Sequence, residues 1–130
     1  MEERLNGLAG VNVLHLRPAY FMENLLMNIG LIRTSGIMGS AIRGDLRMPM
    51  IATTDIAAYA AERLARRDFV GTQVHDLLGQ RDVSMDEAAG IIGGNIGKPG
   101  LAYVQFSSTD TEKALISMGS AGTLPASLSR

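Results

Sequence analysis

Two histidines, three tyrosines and one glycine-rich run are where this 130-residue chain could do chemistry. A dinucleotide-binding α/β enzyme needs a glycine-rich turn between its first strand and helix, because only glycine lets the backbone approach the pyrophosphate closely. The segment "GIMGSAI" supplies Gly36 and Gly39 but has Ile42 in the third place. The segment "GIIGGNIGKPG" comes closer to a phosphate loop. However, Pro99 follows Gly97-Lys98 where Ser or Thr belongs, and Ile92 stands where the leading glycine should be. Its glycines also close a helix instead of opening one, so they read as a C-cap and turn. A Tyr-x-x-x-Lys pair is missing: four residues after Tyr20, Tyr59 and Tyr103 come Asn24, Arg63 and Ser107. His15 and His75 fall in separate strands without ligand spacing and read as strand residues. No Ser or Thr has an adjacent base that would make it a nucleophile. No catalytic residue and no metal ligand is assigned.

The remaining candidate is "LHLRPAYFMENLL", Leu14 to Leu26. An apolar strand ends at Arg17-Pro18, and Tyr20, Phe21, Met22, Glu23 and Asn24 follow at once. These aromatic and polar residues are either core packing or one wall of a ligand pocket.

Around that stretch the chain alternates strands and helices. The residues 2–8 read as a helix end, and "VNVLHL" (11–16) as a strand stopped by Pro18. Its near-continuous apolarity suggests cover on both faces, as in parallel sheets. Residues 20–29 read as one or two helical turns, and 30–47 as irregular, broken by four glycines. A short strand is expected at 50–52. Thr54 is a candidate N-cap for a helix with Ile56, Ala57, Ala60, Ala61 and Leu64 on one apolar stripe. A strand at 73–78 ends at Gly79. Ser84-Met85-Asp86-Glu87 is a capping box, and the helix it opens runs to Gly97 and Pro99. A strand at 101–106 leads to a second capping box, Thr109 to Glu112, whose helix reaches Met118. This order predicts an α/β fold. One domain is expected over 1–119, with a flexible tail over 120–130.

Composition bounds the function. Hydrophobic residues make up 46% and charged residues 19%, a globular balance, with a net charge of -1. Arg63, Arg66 and Arg67 form the densest basic group, too little for a nucleic-acid footprint. No apolar run approaches the roughly 18 residues of a membrane span. The absence of cysteine excludes disulfides and thiol chemistry and fits a reducing cytoplasm.

Three separated motifs then resemble the C-terminal half of an NmrA-like protein, an atypical member of the short-chain dehydrogenase/reductase superfamily. They are Leu16-Arg17-Pro18 with Phe21, Glu23 and Asn24; Asp55-Ile56-Ala57; and Gly79 with Ser84, Glu87 and Ala88. The resemblance spans about residues 2–118 and implies a partial Rossmann-like fold: the substrate-binding portion, with short, mostly parallel strands and covering helices. It also implies that the family's N-terminal Rossmann half, with its NAD(P) turn, lies outside this chain, which is then a truncated form. By the same resemblance, Pro18 and Ala19 would offer backbone to a nicotinamide. Tyr20, Phe21 and Met22 would give apolar surface to a substrate, and Asn24 a polar anchor. Phe21 and Met22 read equally well as core. NAD(P) is the family cofactor, although this chain alone is not expected to bind one.

The expected function is a non-catalytic, small-ligand-binding or oligomeric module, with a homodimer covering the exposed sheet edge and an apolar small molecule as the ligand. The alternatives are the substrate half of an NAD(P)H-dependent oxidoreductase acting on quinone- or azo-type acceptors, and a redox-sensing regulator acting through protein partners. Nucleic acid and membrane are not expected as partners.

Overall fold

Fifteen glycines and four prolines punctuate this chain, and its strands are correspondingly short. The computed structural model describes residues 1–117; the expected tail and the boundary at 119 lie outside the described residues. The elements run α1 (Glu2–Asn6), β1 (Val13–Pro18), β2 (Tyr20–Phe21), a 3₁₀ helix (Met22–Asn28), α2 (Ile29–Ser35), β3 (Ile37–Ser40) and β4 (Met48–Ile51). Then follow α3 (Thr53–Arg66), β5 (Thr72–Leu77), β6 (Asp82–Val83), α4 (Met85–Asn95), β7 (Ala102–Gln105) and α5 (Ser108–Ser117).

The expected α/β class, with short and mostly parallel strands, is what folds. β1 pairs with β5, β2 with β4 and β3 with β7, all parallel, while β4 and β6 pair antiparallel. Among the described residues the strands form three small sheets, in the orders β1-β5, β2-β4-β6 and β3-β7. Pro18 is the last residue of β1, opposite Leu77, and the ladder bond there is donated by the next amide, that of Ala19, so the N–H that proline lacks is not needed for the pairing.

The core sits at one end. Met38 of β3, Ala89 of α4 and Leu101 form its buried centre, with Leu25, Ile32, Ile92 and Tyr103 packed against it. Met38, Met50 and Met85 are the largest side chains buried almost completely; unbranched methionine fills irregular gaps between short elements. Gly93 permits the close approach of α4 to the chain that follows, because a Cβ there would lie 2.5 Å from the Lys98 carbonyl oxygen. The layer of α1, β1, β5 and α3 is thinner. Neither α1 nor α3 has a buried residue. The layer is held largely by polar contacts: Arg17 forks onto the Glu2 carboxylate at 3.2 and 2.7 Å, and His15 Nε2 lies 2.7 Å from Asn6 Oδ1. Tyr59 of α3 hydrogen-bonds His75 Nδ1 of β5.

Several expected boundaries shift for identifiable reasons. Residues 30–40 are regular where an irregular stretch was expected: α2 continues through Gly30 to Ser35 and β3 follows, while 41–47 form the expected irregular loop. The amide of Gly39 in β3 is taken by the side chain of Asn28, the one buried asparagine of the 3₁₀ helix. On α3, Thr53, Ile56, Tyr59, Ala60 and Arg63 are the half-buried positions, whereas Ala57 and Ala61 are exposed and Leu64 is 67% exposed. The Tyr59–His75 pair, and Arg63 stacked 6.0 Å from the Phe69 ring centroid, set that rotation. At α5 it is Ser107, not Thr109, whose hydroxyl accepts an amide hydrogen, that of Asp110 at 3.1 Å.

Gly79 is the tightest requirement for glycine. It has φ +79°, and a Cβ would lie 2.0 Å from the Met50 carbonyl oxygen. Gly79→Ala should therefore cost about 2 kcal/mol or more of stability. Ser84→Ala, which removes the acceptor for the Glu87 amide, should cost about 1 kcal/mol. Urea denaturation checks both, and equal losses for the two variants would contradict the close approach at Gly79.

Candidate functional site

The segment behind Pro18 reaches the site through the strand it forms. Tyr20 and Phe21 pair with Met50 and Ile51 of β4, which aligns the 3₁₀ helix after them with the start of α3 after β4. Glu23 joins the two. Its carboxylate accepts the Thr53 amide, at 2.9 and 3.1 Å from its two oxygens, and the Thr53 hydroxyl at 2.8 Å. Helix α3 has no local side-chain cap: Ala52 holds the N-cap position, and the expected Thr54 does not serve. A carboxylate from 30 residues upstream fills that role and sits at the positive end of the helix dipole. The Thr53 hydroxyl and then its amide hold the Glu23 carboxyl below the usual carboxylate range.

The parts so aligned enclose a cavity of about 450 Å³, a size suited to a small organic ligand. Met22 and Leu25 line it from the 3₁₀ helix, and Met50 and Ile51 from β4. Across from them stand Ala88, Ile91 and Ile92, successive positions of one face of α4. The loop Gly79-Gln80-Arg81 and Asp55 of α3 supply its polar lining. Arg81 Nη1 donates to Glu87 Oε1 at 2.6 Å, and Arg47 Nη1 reaches the other oxygen of Glu87 at 3.3 Å. Arg81 lowers the Glu87 pKa first, with Arg47 and the Ser84 amide adding to it; of the expected capping box, the Ser84 hydroxyl accepts the Glu87 amide, while the Glu87 carboxylate turns to the two arginines.

Of the residues singled out from the sequence, Met22 lines this cavity. Tyr20 is half-buried in β2, and burial pushes its phenol pKa up, with Tyr103 adding electrostatically. Phe21 is 38% exposed. Asn24 is half-buried, and its side chain makes no hydrogen bond to another described residue. Pro18 is exposed at the carboxyl end of β1, and the Ala19 amide donates to the Leu77 carbonyl at 2.9 Å, so that N–H extends the β1–β5 ladder. Pro18 and Ala19 thus lie at a different strand end from the cavity lining. Sequence reasoning missed Met50, Asp55, the loop after Gly79 and Ile91 as wall residues. The glycine closing β5 was the available signal, since its positive φ folds the loop over Met50.

Two arrangements that could suggest redox chemistry are structural. The Tyr103 hydroxyl lies 2.6 Å from Ser40 Oγ and donates to the Ile42 carbonyl at 2.6 Å, which ties the loop after β3 to β7. The glycines of "GIIGGNIGKPG" close α4, with Gly97 at φ +72°, and open no helix. Among the described residues, no strand-to-helix turn offers the glycine-rich cradle a dinucleotide pyrophosphate requires. The described residues also hold no cluster of three or more His, Asp or Glu able to bind a metal ion, and no helix long and apolar enough to cross a membrane.

No family model matches the chain. In sequence it is 30% identical over 117 residues to festuclavine dehydrogenase easG of Aspergillus fumigatus, a match covering 88% of the chain and 40% of that protein. It is 29% identical over 104 residues to an NAD(P)H azoreductase of Xenophilus azovorans, covering 80% of the chain and 35% of that protein. In structure it is similar to a nucleoside-diphosphate-sugar epimerase from Staphylococcus aureus, with a TM-score of 0.68 and 21% identity over 93% of the chain and 40% of the epimerase. The resemblance drawn from the Leu-Arg-Pro, Asp-Ile-Ala and Gly79–Ala88 motifs holds at this level. The chain is related to part of an oxidoreductase and has a partial Rossmann-like fold. It spans about two fifths of the length of the proteins it matches.

The Glu23 cap has a pH signature. Its carboxyl is lowered in the folded state, so its contribution is fully present above the ordinary value of 4.5 and is lost as pH falls through the lowered folded value. Glu2, Asp45 and Glu87 are lowered too and act in the same sense. The comparison that isolates Glu23 is wild type against Glu23→Gln. The variant should melt lower at pH 7, and the difference should shrink steadily below pH 4.5. A difference in melting temperature that does not change with pH would contradict the charge-assisted cap.

Proposed function

We propose that this chain is a ligand-binding module related to reductases, non-catalytic by itself, and that the cavity between the 3₁₀ helix, β4 and α4 takes a small apolar molecule. The observation that carries the reading is the cavity of about 450 Å³ with Met22, Met50 and Ile91 in its walls. Methionine thioethers adapt to flat aromatic surfaces. Among the described residues the two charged groups of the lining, Asp55 and Arg81, are not paired with each other: the Arg81 guanidinium is engaged with Glu87. A neutral aromatic ligand should bind in calorimetry without any added dinucleotide. Ile91→Trp, which fills the space from a half-exposed position, should weaken it about tenfold or more. Unchanged affinity in that variant would contradict binding in this cavity.

A second reading is favoured by the relatives, one of which is an NAD(P)H azoreductase. In it, the chain supplies the substrate side of an NAD(P)H-dependent enzyme of quinone or azo-type acceptors, with Pro18 and Ala19 beside the nicotinamide and Tyr20, Phe21, Met22 and Asn24 toward the substrate. A redox-sensing regulator would use the same residues. Calorimetry with NADPH and NADH separates these readings: micromolar binding by this chain would replace the first proposal with the second.

The thin layer bears on assembly. Leu5, Leu8, Val11, Leu64, Val70 and Val74 are exposed on or beside α1, β1, α3 and β5, and β1 and β5 pair only with each other among the described residues. We propose a homodimer that covers this face or pairs at this sheet's edge. Gel filtration at micromolar concentration should give a dimer; a clean monomer would count against it.

A further inference from the structure

The pairing of the charged side chains in the cavity lining favours one class of ligand. Asp55 lines the cavity and is exposed, so it belongs to the rim. Its carboxylate makes no hydrogen bond or ion pair with another described residue. The cation in the lining is already engaged: Arg81 is paired with Glu87 at 2.6 Å. Arg47 beside it is engaged by the other oxygen of Glu87 and by the Asp82 carbonyl at 2.7 Å. The positive end of α3, which would otherwise attract an anion at this rim, is occupied by the Glu23 carboxylate. Among the described residues, Asp55 is therefore the one charged side chain of the lining without a hydrogen bond or ion pair, while Arg81 and Arg47 share the Glu87 carboxylate.

We propose that the ligand is an amphipathic cation: an aromatic or other flat apolar body that enters between Met22, Met50 and Ile91, carrying a protonated amine that meets Asp55. This specifies the ligand class of the cavity proposed above and rests on that reading. A charged hydrogen bond formed at an apolar rim contributes more than a neutral one, and an exposed position limits the gain to about five- to tenfold in affinity. An amine also matches the site by contrast, because a carboxylate ligand would meet Asp55 as a like charge.

The test uses three probes with the same body: 2-naphthylmethylamine as the cation, 2-naphthalenemethanol as its neutral counterpart, and 2-naphthoate as the anion. Each is titrated into the full chain by NMR at pH 7 and low salt. The expected order is amine about five- to tenfold tighter than alcohol, with naphthoate weakest. Added salt should narrow the amine's advantage. In Asp55→Asn, checked for folding by circular dichroism, the ratio of amine to alcohol affinity should fall to about one. If the alcohol binds but the amine binds no tighter, or if the preference survives Asp55→Asn, the proposed role of Asp55 is overturned while the cavity reading stands. Naphthoate binding tightest, and weakened by Arg81→Gln, would overturn it in favour of an anion anchored by Arg81. If none of the three shifts the resonances of cavity residues, the cavity reading itself fails and this proposal with it.

Discussion

One carboxylate organises the site end of this molecule. Glu23 reaches across 30 residues to satisfy the first amide and the first hydroxyl of α3. A helix start leaves four N–H groups without intrahelical partners, and α3 has no cap of its own. The bond therefore settles two matters together: where α3 begins, and where the 3₁₀ helix carrying Met22 and Leu25 lies relative to it. β4 ends directly before α3, and its pairing with β2 starts directly before the 3₁₀ helix. The contact closes a loop of structure whose interior is the cavity. In the "RPAYFMEN" stretch, the residue that positions is the glutamate, and the aromatic residues before it make the strand that brings it there.

The same molecule is packed unevenly. The buried centre of Met38, Ala89 and Leu101 lies between α4 and the β3–β7 pair. The β1–β5 pair has His15 as its one buried residue, and the helices beside it bury none. Exposed ion pairs such as Arg17–Glu2 contribute little stability, so this layer is the less firmly held part of the molecule. A Rossmann-type sheet is ordinarily covered on both faces. The chain, which spans about two fifths of the length of its relatives, carries one small buried core and one thinly packed layer. The cavity lies on the well-packed side, where α4 and the methionines fix its walls, which is why ligand binding there can be proposed without reference to the thinly packed layer.

Much of the fold was legible because it is written locally. The capping box at Ser84, the apolar face of α4, and the strand stopped by Pro18 depend on neighbours in sequence. What escaped was decided at a distance. β3 sits in a run of glycines, and its pairing with β7 and the Asn28 bond to Gly39 are invisible locally. The face that α3 turns inward is chosen by His75 and Phe69, not by its alanines. The cap of α3 comes from Glu23, not from Thr54 beside it. The site followed the same rule. Met22 was visible as part of an unusual cluster, whereas Asp55 and the Gly79 loop join it only after the chain folds back over Met50.

The measurement that bears most directly on this picture is an assigned NMR titration of the unmodified chain with a neutral aromatic ligand. Binding between the 3₁₀ helix, β4 and α4 predicts that the largest amide shifts cluster at Met22–Leu25, Met50–Ala52, Gly79–Arg81 and Ala88–Ile92, with β1 and β5 unmoved. Shifts concentrated instead along Val13–Pro18 and Thr72–Leu77 would place the ligand on the thinly packed layer and contradict it.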